Sequence, residues 1–258
     1  MAKKIIVGNW KMYPSLSDAL VLAASLKKSL DEIRSVEVVL APPNAWLVPV
    51  IEAYSRRGKH IHFASQNVFS EDQGAFTGEV SAYLLRNLID YAIVGHSERR
   101  ALGEDSHFVN EKVHSCLRWK IRPILCIGEH QRIFDSSHKT RSDQLRKVND
   151  QLLTGLGGVK EADLDKVIIA YEPVWAVGTR HSATPHYAVE VINKLRDRLV
   201  HRYSKRAVFE MTFLYGGSVE RSNAHDYLKY PEIGGLLLGG ASVKAGEFAA
   251  ICRLAASI

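Results

Sequence analysis

The sequence predicts an α/β protein of the (β/α)8 class, in which eight parallel strands close into a barrel that is ringed by helices. Eight apolar runs recur along the chain, and most are separated by stretches with the periodicity of amphipathic helices. The length of 258 residues is typical of such a barrel as a single domain, residues 1–258. An open, doubly wound sheet is the alternative that this alternation leaves open.

The eight runs are short and apolar, as strands buried on both faces of a parallel sheet are. They are Lys4–Trp10, Val36–Ala41, His60–Ala64, Tyr91–Val94, Pro123–Ile127, Val167–Tyr171, Ala207–Tyr215 and Ile233–Leu238. Glu210 is unusual within the seventh run. Apolar residues at helical spacing from Leu16 to Ile33 predict a helix between the first two strands. Thr184 before Pro185 predicts an N-cap and the first helical position of a later helix.

The composition is that of a soluble globular protein, with 46% hydrophobic and 24% charged residues. No apolar run approaches the ~20 residues that cross a bilayer, and the first residues lack the apolar segment of a secretory signal. Cys116, Cys126 and Cys252 are odd in number and lack metal-ligand spacing. We therefore expect a cytoplasmic protein with no membrane segment and no metal site.

The net charge of +6 does not predict a nucleic-acid partner. The most basic stretch, Lys194–Arg206, shares a helical pattern with apolar residues such as Leu195 and Leu199, which is typical of a solvated helix face. Nucleic-acid binding would need a basic stripe with stacking aromatic residues, or a known motif, and the sequence has neither.

Polar side chains and glycine turns follow the predicted strands. Parallel strands of a barrel deliver their carboxyl ends to one rim, where the reactive groups of such barrels lie. In chain order the strand ends carry Asn9 and Lys11, His96 and Glu98, Cys126 and Glu129, Glu172, the turn Gly216-Gly217-Ser218, and the turn Gly239-Gly240. The sequence therefore predicts one site that contains a carboxylate, an imidazole, a cation and two glycine turns.

Glu172 is the predicted catalytic base. It ends a strand and precedes Pro173, Trp175 and Gly178, which predict a hinged lid with an apolar anchor and a flexible end. A carboxylate kept dry beneath a lid becomes a stronger base. An ordinary strand-to-helix connection and a structural ion pair are the alternative interpretations.

The remaining groups suit proton abstraction beside the carbonyl of a small phosphorylated substrate. His96 would polarise the carbonyl as a neutral imidazole, and Lys11 would stabilise the developing oxyanion. The two glycine turns would present backbone N–H groups to a phosphate. Taken one at a time, these features also have ordinary interpretations: a histidine on the surface or in the core whose hydrogen bonds are all made, an exposed lysine, and tight turns.

Seven segments, in the right order and over essentially the whole chain, resemble the triosephosphate isomerase family. They are Gly8-Asn9-Trp10-Lys11-Met12, Gly74-Ala75-Phe76-Thr77-Gly78-Glu79, Val94–Arg100, Leu125–Glu129, Ala170–Thr179, Tyr215–Ser218 and Gly239-Gly240-Ala241-Ser242. The resemblance implies interconversion of dihydroxyacetone phosphate and D-glyceraldehyde 3-phosphate, a reaction of glycolysis and gluconeogenesis, through an enediolate. It also implies that no cofactor and no metal are needed.

The resemblance implies a role for each site residue. Glu172 would carry the proton between adjacent carbons, and His96 would act on the two substrate oxygens. Asn9 and Lys11 would contact the substrate. The phosphate would be held by backbone N–H groups of Gly178, Ser218, Gly239 and Gly240. Supporting positions are Ser97, Glu98, Cys126, Val177 and Leu237. Closure of the lid would prevent loss of phosphate from the enediolate.

The resemblance also implies a homodimer. In the family, the loop that corresponds to Gln73–Glu79 projects into a neighbouring subunit, so Phe76 and Thr77 would lie at the interface. Thr77 would support the region of Asn9 and Lys11 in the other chain. A glycine-rich surface turn is the alternative interpretation.

Four features depart from the family pattern: Tyr13, the small Val177, Arg180-His181-Ser182 at the far end of the lid, and residues 130–143. They are expected to affect dimer packing and the lid.

Two other functions remain open from the sequence. One is a barrel that has lost catalysis and serves as a binding protein, and the other is a different sugar-phosphate enzyme such as an epimerase.

Overall fold

The structure, a computed structural model, describes residues 3–54, 61–133, 138–176 and 182–258, with only the backbone of 138–142. In these ranges eight parallel strands form a closed barrel in the order β1 to β8. They are β1 Ile5–Asn9, β2 Glu37–Ala41, β3 Ile61–Ser65, β4 Tyr91–Val94, β5 Arg122–Ile127, β6 Ile168–Tyr171, β7 Phe213–Tyr215 and β8 Gly235–Leu238. The predicted fold class is confirmed, and the open sheet is excluded because β1 pairs with β8.

Ten α-helices surround the strands within the described ranges. They are α1 Leu16–Leu30, α2 Leu47–Tyr54, α3 Ala82–Leu85, α4 Ser97–Ala101, α5 Ser106–Arg118, α6 His138–Gly155, α7 Pro185–Leu199, α8 Lys205–Glu210, α9 Ala224–Leu228 and α10 Ala245–Ala256. Short 3-10 helices lie at Asn44–Trp46, Glu161–Lys166, Val174–Ala176 and Gly240–Val243. As predicted, Thr184 caps α7: its side chain accepts a hydrogen bond from the N–H of Tyr187 at 3.3 Å.

Alternation along the strands divides the apolar residues into two layers. Side chains such as Val7, Val39 and Ile124 fill the barrel interior, while Ile6, Leu40 and Leu125 pack between strands and helices. Closure of the barrel requires a residue without a side chain at Gly235, where a Cβ atom would lie 1.8 Å from the carbonyl oxygen of Ile5. The interior is therefore packed with side chains, and the site is confined to the rim.

The seventh predicted strand is wrong over its first half. Of the run Ala207–Tyr215, only Phe213–Tyr215 is a strand, and Ala207–Glu210 belongs to α8. The Ser204 hydroxyl caps this helix, and Arg206 pairs with Glu210 one turn later at 2.9 Å. Glu210, which was unusual for a strand, is thus an exposed helical residue.

Other boundaries differ by one to three residues. β8 begins at Gly235, two residues after the predicted start at Ile233, and α1 ends at Leu30 because Asp31 already serves as its C-cap. The predicted start of the third strand, His60, lies outside the described residues. In the described part of the chain, no helix has both the length and the apolar character needed to span a membrane.

One ion pair is fully enclosed beneath the loops of the rim. Lys112 of α5 is 0% exposed, and its ammonium group donates to Oε1 of Glu104 at 2.5 Å and to Oδ1 of Asn67 at 2.9 Å. Burial lowers the pKa of Lys112, and Glu104 counteracts that shift. Arg99 donates to the same Glu104 oxygen at 2.7 Å. Glu104 therefore neutralises charge that the interior could not otherwise hold.

Replacing Glu104 with Gln is expected to lower the free energy of unfolding by about 3 kcal/mol, since it leaves the Lys112 ammonium buried without a counter-charge. The matched control is Asp163→Asn, which breaks an exposed pair with Lys166 at 2.6 Å and should lower stability far less. Thermal unfolding at one fixed protein concentration measures both. Equal losses in the two variants would contradict this account of the buried pair.

Candidate active site

A cavity of about 280 Å³ opens at the carboxyl ends of the strands. Eight of the predicted site residues line it: Asn9, Lys11, His96, Glu172, Ser218, Leu237, Gly239 and Gly240. They come from the ends of β1, β4, β6, β7 and β8, which are far apart in sequence. The barrel thus brings the carboxylate, the imidazole, the cation and both glycine turns to one place.

Glu172 directly follows β6 and is only 2% exposed. Its backbone N–H donates to the carbonyl oxygen of Ile127 at 2.8 Å, which extends the pairing of β6 with β5 by one residue. One carboxylate oxygen, Oε2, accepts a hydrogen bond from the backbone N–H of Ser97 at 3.2 Å. The other, Oε1, lies 3.2 Å from Nε2 of His96. The Glu172 carboxylate therefore lies directly against His96 and Ser97, which follow β4.

His96 has a defined tautomer. It is the N-cap of α4, and its Nδ1 accepts a hydrogen bond from the backbone N–H of Glu98 at 3.2 Å. A nitrogen that accepts cannot carry a proton, so the proton of the neutral ring lies on Nε2, which points to Glu172. The preceding Gly95 has φ of +67°, a backbone conformation that favours glycine. The imidazole is therefore presented as a neutral N–H donor.

Two glycines press on Glu172 from the neighbouring strands. A Cβ atom at Gly128, after β5, would lie 1.7 Å from the carbonyl oxygen of Glu172. A Cβ atom at Gly216, after β7, would lie 2.8 Å from Cγ of Glu172. Real Cβ atoms do not make contacts this short. Both positions therefore need glycine for Glu172 to occupy its place.

Lys11 is held in a strained backbone conformation. Its φ is +50°, which is uncommon for a residue with a side chain and costs on the order of 1 kcal/mol. Its N–H donates to Oδ1 of Asn9 at 3.0 Å, and its carbonyl oxygen accepts from the side-chain amide of Gln66 at 2.9 Å. The ammonium group of Lys11 lies 2.7 Å from Glu98 Oε1. Glu98, which was predicted as a supporting residue, thus pairs with Lys11.

The two glycine turns complete the wall of the cavity. Gly239 lies against Lys11, since a Cβ atom there would be 3.2 Å from Cε of Lys11. At Gly240, by contrast, no described atom lies within 4 Å of the Cβ position, so its backbone faces open space. The Ser242 hydroxyl donates to the carbonyl oxygens of Gly239 and Asn9 and so ties this turn to the end of β1. The Ser218 hydroxyl donates to the carbonyl oxygen of Ala176 at 2.7 Å.

Cys126 is a predicted supporting residue that lies beneath the cavity. It is fully buried in the barrel interior, beside Ala170 in the register of β5 and β6. Burial first, and then the charge of Glu172, raise the pKa of the Cys126 thiol well above its usual value. The thiol therefore stays protonated and adds no charge near Glu172.

Some predicted residues are not brought to this cavity or cannot be placed. Gly178 and Val177, with Arg180 and His181 of the lid's far end, lie outside the described residues. The segment 130–143 is described only in part. Phe76 and Thr77 lie on an exposed loop and do not line this cavity as the described residues define it.

The comparisons with known proteins agree with this geometry. The sequence model of the family described as triosephosphate isomerase matches residues 4–255. The triosephosphate isomerase of Carboxydothermus hydrogenoformans is 39% identical over 255 residues, which cover 98% of this chain and 99% of the relative. That of Dehalococcoides mccartyi is 39% identical over 259 residues, covering 100% and 99%. That of Fusobacterium nucleatum is 37% identical over 255 residues, covering 98% and 99%.

The chain belongs to the triosephosphate isomerase family. The resemblance drawn from its motifs is thereby confirmed. The match also extends through the segments with unusual residues, so Tyr13 and the 130–143 region are variations on a family chain and not signs of another fold.

Sequence reasoning missed several residues of this family site. Besides Tyr13, which was expected only near Lys11, the cavity is lined by Val219, Glu220, Lys244 and Glu247. Gln66 was also missed, although it directly follows β3 and the strand-end rule could have found it. The signal for Lys244 and Glu247 is weaker, because they lie beyond the second glycine turn, at the start of α10.

Gly216→Ala is expected to lower kcat by about 10- to 100-fold, because the added methyl group displaces the Glu172 side chain from its position. Steady-state isomerase kinetics measure the change. Gly246→Ala, in the first turn of α10, is the matched control, since no described atom lies within 4 Å of its Cβ position. A Gly216→Ala variant with the parent's kcat would show that the close approach has no effect on the base.

Proposed function

We propose that this chain interconverts dihydroxyacetone phosphate and D-glyceraldehyde 3-phosphate, with Glu172 as the base and His96 as the electrophile. One observation carries the proposal: the carboxylate of Glu172 lies 3.2 Å from Nε2 of a neutral His96, in a cavity that is walled by two glycine turns. Family membership supports the substrate pair, and the geometry supports the roles of the residues.

Glu172 carries the proton between the two adjacent substrate carbons. The carboxylate is buried, so few water molecules compete for its charge; Oε2 accepts a hydrogen bond from the N–H of Ser97, and Oε1 lies 3.2 Å from Nε2 of His96. A bound substrate takes the Nε2–H of His96 from Glu172, because that N–H is the donor nearest the reacting carbonyl. The carboxylate oxygen that is released is then free to accept the proton from carbon.

Lys11 stabilises the negative charge that develops on the enediolate. Its ammonium group is 17% exposed and is already partly neutralised by Glu98, so it adds charge to the site without leaving a lone cation in the cavity. Asn9 holds the backbone of Lys11 at its strained φ. Lys11 therefore contributes one positive charge to the wall of the cavity.

The phosphate of the substrate binds at the turns after β7 and β8. Backbone N–H groups at Ser218, Gly239 and Gly240 line that end of the cavity, and Gly240 leaves room for close approach. Gly178 is proposed as a further contact from the family resemblance. Binding of the phosphate at these turns orients the carbon atoms of the substrate toward the base.

Glu172→Gln is expected to lower kcat by about 10²- to 10⁴-fold, since an amide cannot accept the proton from carbon. An assay that couples formation of either triose phosphate to a dehydrogenase measures this loss. The matched control is Glu210→Gln, which removes an exposed carboxylate on α8 that does not line the described cavity and leaves kcat unchanged. A folded parent chain without turnover would favour a binding protein, and turnover that survives Glu172→Gln would favour another enzyme mechanism.

We also propose that two copies of the chain form a homodimer through the loop Gln73–Glu79. Every residue of this loop is exposed, and Gly74 has φ of +149°, with the ring of Phe76 only 2.7 Å from its Cβ position. The loop is thus fixed in a projecting shape by a glycine. Its base is held to α5, since Asp72 accepts from the indole N–H of Trp119 at 2.8 Å.

A second cavity supports this assembly. It measures about 540 Å³ and is lined by residues that include Asn9, Lys11, His96, Met12 and Leu102. Met12 is 95% exposed and Leu102 77% exposed, which is unfavourable for large apolar side chains in water. The loop of a second copy, with Thr77 near its tip, fills this cavity in the proposed dimer and covers both side chains.

Phe76→Ala is expected to weaken the dimer at least tenfold, because it removes the aromatic side chain around which the loop is arranged. Sedimentation equilibrium measures the dissociation constant. Phe209→Ala is the matched control: Phe209 is also a partly exposed phenylalanine, but it lies on α8, away from the second cavity. A parent chain that is monomeric at micromolar concentration would contradict the proposal.

The proposed location of the protein is the cytoplasm. Its three cysteines are buried free thiols. Burial raises the pKa of Cys116 to about 12, so this thiol remains protonated and unreactive at neutral pH. Such thiols suit a reducing compartment.

A further inference from the structure

A second buried carboxylate lies behind the proposed base. Glu129 follows β5, is 1% exposed, and accepts three hydrogen bonds at a single oxygen, Oε1. The donors are the Tyr171 hydroxyl at 2.9 Å, the Trp175 indole at 2.8 Å and the Tyr187 hydroxyl at 3.0 Å. Its other oxygen, Oε2, is buried without a partner among the described residues. This carboxylate is therefore held from three directions and takes no part in the chemistry proposed above.

Glu129 is bonded to the chain on both sides of Glu172. Its side chain binds Tyr171 and Trp175, and its carbonyl oxygen accepts from the N–H of Val174 at 2.9 Å. Residues 171, 174 and 175 are thus all fixed to one residue of the neighbouring strand end. Because Glu172 lies between residues 171 and 174, these hydrogen bonds restrain its backbone.

Tyr187 brings a third element into this arrangement. It lies in the first turn of α7, donates to Glu129, and accepts from the backbone N–H of Ile133 at 2.7 Å. Its ring meets Trp175 edge to face, with centroids 5.5 Å apart. Burial first, and then the charge of Glu129, raise the pKa of the Tyr187 hydroxyl, so it stays protonated and able to donate at neutral pH. The hydroxyl uses both its donor and its acceptor capacity.

We propose that Tyr187 is a positioning residue for the base: it fixes the Glu129 carboxylate and, through it, the 171–175 backbone that carries Glu172. The inference rests on the proposed role of Glu172. Tyr187 lies about 58 residues from Glu129 in sequence and does not line the substrate cavity defined by the described residues. It therefore acts on the rate of proton transfer and not on substrate binding, since a small displacement of a reacting group lowers the rate strongly.

Tyr187→Phe tests this role. The variant keeps the ring and its contact with Trp175 but removes the hydrogen bond to Glu129. We expect kcat to fall about three- to tenfold, because a charge-assisted hydrogen bond is lost while two others remain. KM should stay within about twofold of the parent, since the phosphate contacts are untouched. A role in stability alone would leave kcat unchanged in the folded variant.

Tyr203→Phe is the matched control. The Tyr203 hydroxyl is also buried, and it donates to two carbonyl oxygens, those of Leu156 and Val159, at 3.2 Å. It contacts neither Glu129 nor the described lining of the cavity. Its loss should lower the melting temperature about as much as Tyr187→Phe does, without changing kcat.

The Glu129→Gln background shows whether Tyr187 acts through Glu129. We expect Glu129→Gln itself to lower kcat with KM unchanged, and Tyr187→Phe to add no further loss in that background. A folded Tyr187→Phe variant with the parent's kcat, or a loss of the same size in the Glu129→Gln background, overturns the inference. If Tyr187→Phe does not fold, a Glu129→Gln variant with the parent's kcat overturns it instead. If the parent itself lacks turnover, the proposed function fails first.

Discussion

The site depends on one steric constraint, the space available to the chain where it leaves β6. Gly128 on one side and Gly216 on the other approach Glu172 so closely that neither position has room for a methyl group. The backbone is also bonded to both neighbours: the N–H of Glu172 reaches the carbonyl of Ile127, and the N–H of Gly216 reaches the carbonyl of Tyr171. Barrel pairing therefore continues past the strand and sets the position of the carboxylate before any substrate arrives.

The charge of Lys11 is positioned in a different way from that of Glu172. Here the backbone itself is strained, since Lys11 has a positive φ although it is not glycine. Hydrogen bonds from Asn9 and Gln66 fix that conformation from β1 and β3. The strain is thus the means by which a flexible side chain becomes a directed charge.

The sequence predicted the parts of this arrangement that are local. Apolar runs gave the strands, and the residue after each run gave Asn9, His96 and Glu172, because alternation and parallel pairing leave little freedom at a strand end. The seventh strand failed at Ala207–Glu210, where Val208 and Phe209 look like strand residues but the Ser204 cap starts a helix. A capping signal read together with the Arg206 and Glu210 spacing would have found it.

Contacts between distant segments could not be predicted. Nothing near Tyr187 in the sequence indicates that its hydroxyl meets Glu129, and the pairing of Lys11 with Glu98 joins two different strand ends. Such contacts depend on side-chain directions in the closed barrel, which one sequence does not specify. They also concern residues with several equally plausible partners. Glu98 is adjacent to Arg99 in the sequence, yet Arg99 forms its ion pair with Glu104.

The substrate cavity and the proposed interface cavity share a wall made of Asn9, Lys11 and His96. Any group that fills the second cavity therefore contacts the segment around Lys11, whose backbone is strained. In a separated monomer that face of the loop meets water, and Met12, the next residue, is almost fully exposed. Water offers the loop alternative hydrogen bonds and so lowers the cost of relaxing φ at Lys11. In the proposed dimer, assembly would therefore act on catalysis through the backbone of Lys11.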